Sequence, residues 1–150
     1  KEGEKTMKIQ KIQSDKDSHF TTAIAANAKK DENLTGLVGD NIIIKGISLQ
    51  SENKFAWDVM FWHKDTTEDT NLDLDEHCAT VAFANADMKQ VGGSGQYYGY
   101  KEMTVGIPYQ DLDVTKELHV SLVNRSSTTK SATGSGEVVL KVYYESEKGY

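Results

Sequence analysis

Apolar side chains recur at every second position in three stretches of the chain. In residues 54–63, Phe55, Trp57, Val59 and Phe61 fall on one face of an extended strand, and Ala56, Asp58, Met60 and Trp62 on the other. Leu118, Val120 and Leu122 alternate with His119, Ser121 and Val123. Val138, Leu140, Val142 and Tyr144 alternate with Val139, Lys141 and Tyr143. These stretches predict three strands, each with one face in a core and the other toward solvent. The predicted core is Phe55, Trp57, Val59, Phe61, Leu118, Val120, Leu122, Val138, Leu140 and Val142.

Shorter apolar runs predict further strands over residues 7–13, 20–28, 41–49, 78–83 and 103–107. Gly46 interrupts the run of isoleucines at a place suited to a bulge. Residues 20–28 mix alanines, which favour helix, with Thr21, Thr22 and Ile24, which favour strand, and are read as strand. Residues 109–117, after Pro108, have room for one helical turn, and no stretch carries the stripe of a long amphipathic helix. About eight short strands joined by polar loops predict an all-β, antiparallel two-sheet sandwich of jelly-roll type. Residues 1–6 are expected to form an N-terminal extension, and residues 7–150 a single domain.

Composition narrows the functional classes. A chain of 150 residues with 37% hydrophobic content suffices for one buried core. Its net charge of −6 argues against a nucleic-acid partner, because phosphate binding needs clustered Lys and Arg. No apolar run approaches the roughly 20 residues that span a bilayer, so no membrane partner is expected. The charged start of the chain carries no apolar signal-type segment. The single Cys78 forbids an internal disulfide and reads as a small core residue.

Four places invite chemistry. Residues 65–76 hold six carboxylates, and Asp69-x-Asn71-x-Asp73 copies the opening of a calcium loop. The copy breaks at Leu74, where Gly is needed, and at Thr80, where a bidentate Glu belongs, so a solvated acidic loop is expected and no cofactor. Asp58 lies between Trp57 and Trp62, as a glycosidase carboxylate does beside an aromatic platform, but no second carboxylate is assigned to face it. Residues 91–100 join flexible glycines to Tyr97, Tyr98 and Tyr100. With Trp62 these are the expected partner- or glycan-binding residues, the alternative being that the tyrosines plug the end of the sandwich. The sequons at Asn33 and Asn124 are unremarkable in a Ser/Thr-rich chain. No nucleophile–base pair, phosphate loop or complete metal motif appears, so no catalytic residue is expected.

The stretches Gly95-Gln-Tyr-Tyr-Gly, Ile107-Pro-Tyr-Gln-Asp-Leu-Asp, Glu117-Leu-His-Val-Ser-Leu-Val-Asn-Arg-Ser126 and Gly134-Ser-Gly-Glu-Val-Val-Leu-Lys-Val-Tyr-Tyr144 resemble small β-sandwich virion proteins of tailed bacteriophages. Capsid decoration and head-fibre proteins are the nearest type, and the resemblance covers roughly residues 90–145. It implies a structural protein on the virion surface, self-associating (commonly as a trimer) on a capsid shell, without cofactor. The competing expectation is an extracellular carbohydrate-binding module using Trp57, Trp62 and residues 97–100. A cupin-type enzyme ranks last, since His63 and His77 are separated by the acidic loop.

Overall fold

A computed structural model describes residues 9–66, 74–90, 92–93, 95–132 and 137–146. Its strands are β1 (Ile9–Gln13), β2 (Lys29–Thr35), β3 (Asn41–Ser51), β4 (Trp57–Trp62), β5 (His77–Phe83), β6 (Lys89–Gln90), β7 (Tyr97–Gln110), β8 (Glu117–Asn124) and β9 (Val138–Ser146). Three-residue 3-10 turns precede β5 and β6, and no α-helix occurs among the described residues.

The strands form two antiparallel sheets, ordered β1-β9-β3-β7-β6 and β2-β8-β4-β5. With the two-residue β6 set aside, the pairs β1·β9, β2·β8, β3·β7 and β4·β5 join first to last. The chain is thus one long hairpin rolled on itself, with β9·β3 and β8·β4 closing the sheets. That is the jelly roll the sequence predicts, with nine strands in place of eight.

The inward faces bury one continuous apolar cluster. All ten expected core residues lie in it, together with Ile44, Ile47, Leu49 and Phe83. Trp57, Val59, Phe61, Leu118, Leu122, Leu140 and Val142 have no accessible surface.

Several elements differ from the sequence reading. Residues 20–28 form no strand. Phe20 and Asn27 adopt left-handed backbone, with φ of 54° and 62°, which interrupts an extended run. Phe20 and Ile24 instead plug the open side of the core, and only Ile24 bridges, to Lys130. The strand lies just beyond, at β2, whose sequence KKDENLT has a single apolar anchor, Leu34. Residues 103–107 belong to the much longer β7, which begins at Tyr97, so the tyrosines stand on a strand and not on a loop. The expected helical turn at 109–117 is strand to Gln110 and then a tight turn into β8.

At the centre of the first sheet, β3 advances from Ile44 to Gly46 while β7 runs from Ile107 to Glu102. Residues 103–106 therefore bulge outward, carrying Val105 at 92% exposure, and Gly106 takes φ +92° to make the bend.

Candidate functional site

The outward face of the five-stranded sheet is set by the same alternation that fills the core. Leu140, Val142 and Tyr144 of β9 point inward, which leaves Val139, Lys141 and Tyr143 outward. Across the sheet, Ser48 of β3 pairs with both Tyr100 and Lys141, and Gln50 pairs with both Tyr98 and Val139. Tyr98 and Tyr100 are therefore outward residues, 46% and 51% exposed. Tyr97 points the other way, half-buried against the core.

Gly46 shapes this face. It sits on β3 between Tyr143 of β9 and Glu102 of β7 and offers no side chain. The Tyr100 ring leans into the gap and meets the Tyr143 ring edge-on, with centroids 6.3 Å apart. A Cβ at position 46 would lie 2.5 Å from the Tyr100 hydroxyl. The result is an aromatic ridge across three strands. Beside it runs a groove of about 260 Å³, lined among others by Gln13, Gln50, Gln96 and Lys141. The Gln50 amide donates to Gln96 Oε1 at 2.6 Å on its wall.

Trp62 is not part of any exposed site. It points out of the four-stranded sheet, as its position in the alternation demands, yet it has no accessible surface. Its indole N–H donates to Ser121 Oγ at 2.9 Å, and His77 meets its ring edge-on at 5.4 Å. Trp57 lies in the core. Neither tryptophan can stack on a sugar. Asp58 is tied to Arg125 Nε at 2.7 Å on the outer side of the four-stranded sheet. Asn124 is fully buried, its amide donating to the Ile24 and Thr128 carbonyls, so it is no glycosylation acceptor. The calcium-like Asp69, Asn71 and Asp73 lie outside the described residues.

Cys78 packs partly buried against the core, its thiol donating to the Pro108 carbonyl at 3.3 Å. Burial pushes the thiol up to about 11, which keeps it protonated and unreactive at neutral pH.

A second grouping lies where β7 turns into β8. Asp111 is buried and organises the turn. Its Oδ2 accepts from the Thr115 hydroxyl and from the Thr115 and Glu117 backbone N–H groups, and its Oδ1 from the Asp113 N–H. Burial opposes its charge. The donors at Glu117, His119 and Thr115 outweigh that and hold the carboxyl down at about 2. His119, on the neighbouring strand, brings Nε2 to 2.8 Å from Asp111 Oδ1 and 3.6 Å from Asp113 Oδ2. Its Nδ1 lies 2.8 Å from Asn33 Oδ1 on β2. Among the described residues this is the grouping with the geometry to hold a metal ion. The sequence reading passed over it. The signal present was Asp-x-Asp ending three residues short of a strand whose third residue is His.

No protein-family model matches the chain, and no curated protein is significantly similar to it.

Proposed function

We propose that the chain is a non-catalytic structural module that joins a larger protein assembly through the outer face of its five-stranded sheet. A bacteriophage virion surface, with the chain as a capsid decoration protein, is the setting to which the sequence resemblance points. The observation that carries the reading is the Tyr98–Tyr100–Tyr143 ridge. Aromatic residues with polar tips are enriched at protein interfaces, where they combine large contact area with few rotatable bonds. Jelly rolls serve capsids, lectins and enzymes alike, so the reading rests on this face and on the resemblance, not on the fold.

A second reading is favoured by one feature of the same face. The groove beside the ridge presents the amides of Gln13, Gln50 and Gln96, and amides next to aromatic rings suit sugar hydroxyls.

Analytical ultracentrifugation and a glycan array on the same samples separate the two. For the assembly reading, the wild-type chain forms a closed oligomer, and Tyr98→Ala/Tyr100→Ala converts it to a monomer with an unchanged melting temperature. Gly46→Ala, which pushes the Tyr100 ring off its seat, weakens association in the same direction. A strict monomer at high concentration that binds a glycan through the tyrosines supports the second reading and overturns the first. An oligomer indifferent to all three substitutions removes the face from either role.

A further inference from the structure

We propose that Asp111, Asp113 and His119 form a binding site for a divalent transition-metal ion of the zinc class. The three donor atoms, Asp111 Oδ1, Asp113 Oδ2 and His119 Nε2, lie within 4.8 Å of one another. Metal–oxygen and metal–nitrogen bonds of about 2.0–2.2 Å would place an ion between atoms 2.8 and 3.6 Å apart with angles of roughly 85–120° at the metal. Those two angles fall in the range from octahedral to tetrahedral coordination.

Each donor is already aimed by a partner outside the triad. Asn33 Oδ1 lies 2.8 Å from His119 Nδ1 and would accept its N–H when Nε2 holds the ion. The Thr115 and Glu117 donors occupy Asp111 Oδ2 and turn Oδ1 toward the histidine. The Asp65 N–H, from the loop after β4, donates to Asp113 Oδ2 at 2.9 Å. This is the outer layer that metal sites use to fix ring tautomer and carboxylate orientation.

The electrostatics point the same way. His119 Nε2 faces two carboxylate oxygens, Asp111 Oδ1 at 2.8 Å and Asp113 Oδ2 at 3.6 Å, and its N–H donates to the first of them. His119 and Asp111 are at most 1% exposed there. A metal ion would take the place of that proton between the imidazole and the two carboxylates. An imidazole ligand selects zinc-class ions over calcium and magnesium, which take oxygen alone. Asp113, with 34% of its side chain exposed, gives the ion a route in and leaves room for water in its remaining positions. The ion would join β8 to the β7–β8 turn, whose Asp113 already holds the loop after β4.

The test is a Zn²⁺ titration of the untagged full chain, followed by calorimetry and by ¹⁵N resonances of the imidazoles. The expected result is saturable one-to-one binding with a large shift of His119 Nε2, while the rings of His19, His63 and His77 stay in place. Asp113→Asn keeps an oxygen for the Asp65 N–H, so the metal-free variant should melt with the wild type yet bind Zn²⁺ at least tenfold more weakly. Two results would overturn the proposal. One is a proton on His119 Nε2 that stoichiometric Zn²⁺ fails to displace; the other is Zn²⁺ affinity unchanged by Asp113→Asn.

Discussion

Lys130 is fully buried, and its replacement measures what holds the plug at residues 20–28 in place. Its ammonium donates to the Phe20 carbonyl at 2.6 Å and to the Thr22 carbonyl at 3.0 Å, and its backbone exchanges two hydrogen bonds with Ile24. Lys130→Met keeps the length and most of the volume of the side chain, so the change isolates the polar contribution. Two carbonyls lose their donor, at about 1–3 kcal/mol each when left without one. Against this, the variant no longer buries an ammonium, and burial of that charge is unfavourable enough to lower the Lys130 pKa below 10.5. The opposing terms leave a net loss of about 1–3 kcal/mol, read by urea unfolding with the buried Trp57 and Trp62 as fluorescent reporters and an unchanged m value. The pH dependence supplies a second arm. Because the folded chain releases the Lys130 proton before the unfolded chain does, the unfolded state binds more protons between the lowered value and 10.5. Wild-type stability therefore rises with pH across that window relative to Lys130→Met, in which the group is missing. A variant as stable as the wild type at neutral pH would refute the reasoning, since it would mean that the two carbonyls need no donor.

Further outcomes follow from the packing. Leu122→Ala, at a position with no accessible surface, should cost about 2–5 kcal/mol through lost burial and the cavity left behind, read as a lower urea midpoint. Gly99→Ala should destabilise although it lies between two exposed tyrosines, because its Cβ would come 2.9 Å from both the Asp87 carbonyl and the Met88 sulfur; a melting temperature at or above wild type would contradict the packing there. Cys78 should resist Ellman's reagent at pH 8 in the folded chain and react fully in urea, since its thiol is held up at about 11.

The fold was legible wherever one face of a strand meets the core and its sequence alternates, as in β4, β8 and β9. The register of β4 was readable down to the outward position of Trp62. Its burial was not, because that depends on Ser121 and His77, which distant pairings bring to it. β2 was illegible for a related reason. Its charged side chains are answered across space and not along the chain: Asp31 accepts from Ser121 Oγ, Asn33 meets His119, and Glu32 accepts from the Phe20 N–H at 2.9 Å. The tyrosines stood out as candidate contacts from their composition. Their arrangement did not, since the ridge exists only because Gly46, some fifty residues upstream, leaves a gap under Tyr100. The Asp111–Asp113–His119 grouping likewise needs the turn that carries the chain from β7 in one sheet to β8 in the other.

The rolled hairpin has a consequence for how the chain is made. β1 has one strand neighbour, β9, and Ile12 pairs with Val142 about 130 residues later. During synthesis at about 5–20 residues per second, β1 leaves the ribosome roughly 7–25 s before its partner exists. β9 is also the strand that joins β1 to β3, so the larger sheet stays split until β9 has been made. Through that interval the open edges of β1 and β3 are exposed to other nascent chains, and pairing so distant in sequence is slow to form even afterwards. Yield during expression should therefore depend on temperature and chaperone supply more steeply than the stability of the finished domain does.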